Sequence, residues 1–118
     1  MAVKFKGKTV LGLVEKVTLI GSKKEKKTVL ARIDTGATKS SIDVNLAANL
    51  NLGPIIRSKM VKSAQGSKLR PVIEASLTLA GKKIKAEFSL ADRTHMKYMV
   101  LIGQNILKHG FLIDPVKQ

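Results

Sequence analysis

The residues best suited to chemistry in this 118-residue chain are Ile33-Asp34-Thr35-Gly36-Ala37-Thr38, where a carboxylate closes an apolar stretch and a hydroxyl, a glycine and a small residue follow. Glycine lets the backbone turn tightly enough for its amides to face the carboxylate, and the threonine hydroxyl adds a further hydrogen bond. The hexapeptide alone fits an Asx-type turn at a strand end equally well. A second stretch stands near the carboxyl end: Val100-Leu101-Ile102-Gly103-Gln104-Asn105-Ile106-Leu107, an apolar run closed by glycine and followed by an amphipathic helical turn. Asp43, Asp92 and Asp114 lack the strand-turn-glycine context and read as a helix cap, a turn residue and a strand-end residue.

The elements that must position these residues read mostly as strands. Ile73, Ala75, Leu77 and Leu79 alternate with polar residues, and Ile84, Ala86, Phe88 and Leu90 do so again, giving two half-buried strands joined through Gly81. Thr9 to Ile20 is a third extended segment whose apolar phase shifts around Glu15, as in a strand that bends or switches sheets. Residues 21–27 form a polar, lysine-rich turn, read as a solvated hairpin tip, and Thr28 to Ile33 is the returning strand. Ser41 or Asp43 caps one short helix that carries Leu46 and Leu50 and ends at Gly53-Pro54. Residues 56–62 and 68–72 form a hairpin around Ala64-Gln65-Gly66-Ser67, and a second short helix runs from Gly103 to Lys108. Short strands at close spacing predict an all-β fold, a small closed β-barrel with one or two short helices, occupying residues 1–118 as a single domain.

Composition bounds the rest. At 44% hydrophobic residues the chain can fill a core, and at this length folding buries roughly 65% of the unfolded surface, so no metal staple is required. Without cysteine there is no disulfide framework, thiolate zinc cluster or thiol nucleophile. Apolar runs such as Met99 to Ile102 fall far short of the ~18 residues of a membrane span, and Val10 to Val14 is too short for a signal-peptide core. The expectation is a soluble, cytoplasmic protein with no membrane partner. The net charge of +14 attracts polyanions, but 18 of the 22 basic residues are lysine and only 3% of residues are aromatic. Nucleic-acid binding, if it occurs, is therefore unspecific, because base readout relies on arginine and stacking on aromatic rings.

Asp-Thr-Gly-Ala, followed about 65 residues later by apolar-apolar-Gly-x-Asn-x-Leu, resembles the retropepsin family of aspartic proteases. Gly12 to Leu19, Ala31 to Ala37 and Asp92 to Gly103 are similar to a prokaryotic branch of that family. Its members are often labelled ATP-dependent zinc proteases and linked to ATP-grasp glutamate ligases. The resemblance spans roughly residues 9–115. It implies a catalytic Asp34, support from Thr35, Gly36, Ala37 and Thr38, and packing of Leu101, Ile102 and Gly103 beneath the catalytic loop. It also implies that Thr35 braces the opposite loop across a dimer and Gly36 contacts substrate backbone. The flap falls at Lys62, Ser63, Ala64, Gln65, Gly66, Ser67 and Lys68, extending to about Arg70, and Phe111 to Pro115 joins a dimer sheet. This chain has Met99 where that branch usually has proline, and Gln104 where it usually has arginine. Retroviral members pair that arginine with an aspartate at the position of Thr38, so polar hydrogen bonds are expected to replace an inner ion pair.

Hydrolysis by carboxylates needs two of them in hydrogen-bond reach, sharing a proton because like charges ~3 Å apart do not both ionise. One Asp-Thr-Gly per chain makes such a protease a homodimer, with Asp34 contributed by each protomer. Arg57, Lys59, Lys62, Lys68 and Arg70 make the flap region basic, either as solubilising lysine and arginine or as a surface for acidic peptide substrates. The zinc label finds no donor set: His95 and His109 read as surface or structural, and no His-Glu-x-x-His helix exists. No cofactor is expected, and ATP would come through an associated ligase because the chain has no phosphate-binding Gly-rich loop. The rival reading keeps the barrel without catalysis, as a basic binding module for RNA, ribosome or an acidic partner.

Overall fold

Alternation of apolar and polar residues at period two sets the architecture. In the computed structural model, which describes residues 2–64 and 66–117, Ile73, Ala75, Leu77 and Leu79 are buried on β7 (Gly66–Leu79), and Phe88 is buried on β8 (Lys82–Ala91). The two strands pair antiparallel from Val72↔Ser89 to Leu79↔Lys82. Ala80 and Gly81, with φ of 50° and 80°, make the two-residue turn whose twist matches that of the strands it joins.

β3 (Val14–Ile20) pairs antiparallel with both β4 (Lys26–Ile33) and β7. β4 runs parallel to β9 (Val100–Ile102), which pairs antiparallel with β5 (Ser40–Asp43), and β5 runs parallel to β8. The order β3-β4-β9-β5-β8-β7 therefore returns to β3 and closes a six-stranded barrel, while β6 (Ile55–Ser63) hangs on β7 outside the ring. Closure removes the free sheet edges within the ring. A separate sheet in the order β1-β2-β10 comprises β1 (Val3–Phe5), β2 (Lys8–Leu11) and β10 (Phe111–Ile113). Two short helices, α1 (Val44–Asn49) and α2 (Gln104–Leu107), pack Leu46, Ala47, Ile106 and Leu107 into the core. No helix among the described residues is long and apolar enough to cross a membrane.

The expected closed barrel is present, with differences in its parts. The segment from Thr9 to Ile20 does switch sheets, but at Gly12-Leu13 rather than at Glu15. Close approach decides the position: a Cβ on Gly12 would meet the Lys117 carbonyl oxygen at 2.6 Å. Glu15 serves that corner instead, accepting from the Gly12 amide at 2.6 Å and pairing with Lys117 at 2.8 Å. The stretches 68–72 and 73–79 are one 14-residue strand, because β6 continues the ladder past the barrel rim. Asp43, not Ser41, caps α1, accepting from the Asn45 and Leu46 amides at 3.1 and 3.2 Å. Ser41 lies in β5, a strand that alternation did not reveal, and β1 was likewise unread.

The core is continuous from Leu11 through Phe88 to Phe111. Phe88 is 1% exposed and heads the large, fully buried side chains. Phe88→Ala is expected to lower unfolding stability by about 3–5 kcal/mol, measured as a lower urea midpoint at unchanged slope.

Candidate active site

The site grows from the parallel pairing Ala31↔Val100, Arg32↔Leu101 and Ile33↔Ile102. Ala31, Ile33, Val100 and Ile102 are buried, so the alternate residues Arg32 and Leu101 face outward. Asp34 is two residues after Arg32, and its amide donates to the Ile102 carbonyl at 2.9 Å, extending the pairing by one step. There the chain turns. The Ala37 amide donates to the Asp34 carbonyl at 3.3 Å, and the Gly36 amide donates to Asp34 Oδ1 at 2.9 Å. The carboxylate is thus held by the turn that glycine permits, half-buried, while Thr35 and Gly36 stay exposed.

Behind this loop stands Gly103. A Cβ there would collide with the backbone of Ala37 and Lys39, so only glycine allows the approach. The next amides fasten the loop to the helix: Gln104 N–H donates to the Ala37 carbonyl at 2.8 Å and Asn105 N–H to the Thr38 carbonyl at 3.1 Å. Fully buried Ser40 completes the joint. Its Oγ accepts from the Gly103 amide at 2.9 Å and donates to Asn105 Oδ1 at 2.7 Å, while Asn105 Nδ2 donates to the Glu87 carbonyl at 3.0 Å. The structure therefore brings Asp34, Thr35, Gly36, Ala37 and Thr38 against Leu101, Ile102 and Gly103, from opposite ends of the chain. Gln104 and Thr38, expected as a polar pair, are not joined side chain to side chain; the Gln104 amide reaches the Thr35 carbonyl at 2.6 Å instead.

Two further anchors escaped the sequence reading. Arg93 is only 7% exposed; its amide donates to Asp43 Oδ1 at 2.8 Å, its Nε to the Tyr98 carbonyl at 3.0 Å and its Nη1 to Ser41 Oγ at 3.3 Å. Burial pushes its guanidinium pKa down; nearby Asp43 acts the other way, and Arg32 adds to the lowering. Arg93 thus ties the loop that feeds β9 onto β5 and the α1 cap. Ser40 and Asn105 are the second anchor, and Asn105 at least stood within the Gly103-Gln104-Asn105 motif. A buried arginine or serine has no sequence signature of its own, because its partners are far along the chain.

The hairpin of β6 and β7 carries the expected flap residues Lys62, Ser63, Ala64, Gly66, Ser67 and Lys68 at its tip; Gln65 lies outside the described residues. Register sorts its side chains. Arg57, Lys59 and Val61 share a face with Val72, Arg70 and Lys68, while the exposed pair Met60↔Leu69 lies on the other face. Four cations thus occupy one side of the hairpin, and Arg57 and Lys59 line a cleft that Lys39 also borders. At the base, Arg57 pairs with Glu87 of β8. That hydrogen bond holds the Glu87 carboxyl below the usual carboxylate range, with the charges of Arg57 and Lys39 adding to it.

The remaining sequence candidates lie apart from the loop. His95 and His109 are exposed, and among the described residues no three His, Cys, Asp or Glu side chains gather as a metal site would require. Asp92 closes a turn by accepting from the Thr94 amide and hydroxyl, and Asp114 caps the turn after β10. Phe111 to Pro115 comprises β10 and the start of that turn, and β10 forms one border of the three-stranded sheet.

Comparison with known proteins agrees with this fold. Two solved structures share the fold. The crystal structure of a Legionella pneumophila subsp. pneumophila str. Philadelphia 1 protein of unknown function (DUF785) has a TM-score of 0.65 at 23% identity, covering 92% of this chain and 94% of that one. The solution structure of simian foamy virus (mac) protease has a TM-score of 0.60 at 17% identity, covering 80% of this chain and 91% of that one. No curated protein sequence matches the chain. A family model described as retropepsin-like aspartic endopeptidase RimB matches residues 45–118, which run from α1 through the flap hairpin and the Gly103 strand to β10. Most of the chain is thus matched by one model, although the match begins after Asp34, and the fold is similar to that of a viral protease: the chain belongs to the RimB-like family of retropepsin-like aspartic endopeptidases.

Proposed function

We propose that the protein is an aspartic endopeptidase whose active site forms between two copies of the chain, each contributing Asp34. The observation that carries this reading is the Asp34 carboxylate itself, presented at the mouth of the barrel on a turn that donates the Gly36 amide to it and rests on Gly103. One such loop per chain is half of a two-carboxylate site, and a two-fold axis through a pair of protomers supplies the other half. In the dimer the two Asp34 carboxyls share one proton. The ionised member takes a proton from the attacking water, and the protonated member donates to the scissile carbonyl oxygen. In this reading Thr35 meets the partner protomer and Gly36 the substrate backbone, which their exposure supports. The β10 border supplies the strand through which the protomers join.

The substrate we propose is an acidic peptide. Arg57, Lys59, Lys68 and Arg70 share one face of the flap hairpin, Lys39 follows the catalytic loop, and exposed Arg32 is two residues before Asp34 on the same face of β4. Two acids bear on them: Glu87, which Arg57 already occupies, and Asp92, which lies within reach of the Lys68 charge but is bonded to Thr94. An extended glutamate-rich segment, of the kind that an associated glutamate ligase builds, would be drawn along this face.

Two measurements test the reading. Asp34→Asn is expected to abolish peptide cleavage while sedimentation shows the same dimer; unchanged cleavage by the variant ends the proposal. Matched acidic and neutral peptides are expected to differ in kcat/KM, with the acidic advantage shrinking as salt rises and in Lys68→Gln/Arg70→Gln. Equal rates that ignore salt and the double variant would remove the acidic-substrate assignment. Salt-sensitive RNA binding with no cleavage of any peptide would favour a binding module instead.

A further inference from the structure

We infer that Gln104 is a positioning residue for the catalytic carboxylate, acting through a single peptide group; as a statement about catalysis this rests on the function proposed above. The Gln104 side-chain amide donates to the carbonyl oxygen of Thr35 at 2.6 Å. The amide on the other side of that same peptide bond belongs to Gly36, and it donates to Asp34 Oδ1 at 2.9 Å. The carbonyl and N–H of a trans peptide point in opposite directions and belong to one conjugated, planar unit. Gln104, the Thr35–Gly36 peptide and Asp34 therefore form one line of hydrogen bonds.

Two physical effects follow from that line. The first is orientation. Thr35 and Gly36 are exposed, and glycine tolerates rotation of the peptide plane about its flanking bonds within the turn that the Ala37 amide closes. Holding the carbonyl end fixes the direction of the N–H at the other end, and with it the rotamer in which Asp34 presents its carboxylate. The second is polarisation. A donor at the carbonyl oxygen draws electron density through the amide and makes its N–H a better donor, the cooperative strengthening found in chains of hydrogen bonds.

Gln104 is well placed to hold still while doing this. Its own backbone amide is bonded to the Ala37 carbonyl at 2.8 Å, and its carbonyl accepts from the Lys108 amide at 3.0 Å, so the first turn of α2 anchors the side chain at its root. Gly103, immediately before it, sits close against the backbone of Ala37 and Lys39. The side chain is exposed and lies outside the core, so its replacement does not disturb the barrel.

The experiment uses the full chain in three forms. These are wild type, Gln104→Met, which keeps the length but has no donor, and Gln104→Arg, which restores donors at the same place. Two readouts are compared, the Gly36 amide proton resonance in nitrogen-15-labelled protein and the steady-state kinetics on a cleaved peptide. The expected result for Gln104→Met is an upfield move of the Gly36 resonance, with Val17 and Leu77 amides unmoved, and a kcat lowered about fivefold at unchanged KM. Gln104→Arg is expected to return both toward wild type. A Gly36 resonance that stays in place in Gln104→Met overturns the inference, whatever the kinetics. So does a raised KM at constant kcat, the mark of a residue that merely binds substrate. Because the resonance is read without substrate, it decides this inference even if Asp34→Asn shows the chain to be no peptidase.

Discussion

Asp34 stands where it does because β4 and β9 run side by side in parallel. Three residue pairs join them, and the Asp34 amide adds a fourth step on the Ile102 carbonyl. Parallel neighbours cannot be joined by a tight turn, so the chain leaves at Ile33 and returns at Val100 only after building β5, the flap hairpin and β8. Three of the six barrel strands, β5, β7 and β8, therefore belong to the connection between the two halves of one loop. That closure also explains why Gly103 admits no side chain: the returning strand must pass against the backbone of Ala37 and Lys39 to reach α2. Once it has passed, Ser40, Asn105 and Gln104 tie the two halves together, each to a partner distant in sequence.

The acidic residues show how the charge is used. The eight carboxylates have separate duties. Glu15 holds Lys117 and the sheet-switching corner, Asp43 caps α1 and receives Arg93, and Glu87 grips Arg57 at the base of the flap. Glu74 faces Lys85, while Glu25, Asp92 and Asp114 close turns. Asp34, half-buried, accepts a single amide of its own turn. With so few acids and nearly all of them committed to structure, the basic residues stay largely without acidic partners, and register gathers four of them on one face of the flap hairpin.

The legible and illegible parts of the sequence divide along a physical line. Strands that bury one face against a single core, such as β7 and β8, announce themselves by alternation, and the Ala80-Gly81 turn and the Asp43 cap follow from local chemistry. β5 does not, because Ser40-Ser41-Ile42-Asp43 has only four residues and buries a serine as deeply as an isoleucine. A buried serine is stable only because Gly103 and Asn105 satisfy it from across the fold, and nothing near Ser40 in sequence says so. β1 fails to announce itself for the opposite reason: its three residues are all exposed. At the site the same division holds. The Asp34 turn was readable because its bonds are to residues two and three positions away, whereas the Gln104 contact spans 69 positions.

The surplus charge bears differently on the two associations that the proposed function requires. Two chains of +14 make a dimer of +28, whose halves repel, so screening favours their union and the joining surface must supply apolar contact. An acidic peptide meets the same charge with opposite sign, so screening weakens its capture. Under the proposed function, substrate and dimer support each other: an anion lying across the basic faces of both protomers would offset the repulsion between them and tighten assembly of the two Asp34 loops. On the proposed function, a chain that contributes half a site, with an excess of cations and few acids to spare, assembles its site around a polyanionic substrate rather than ahead of it.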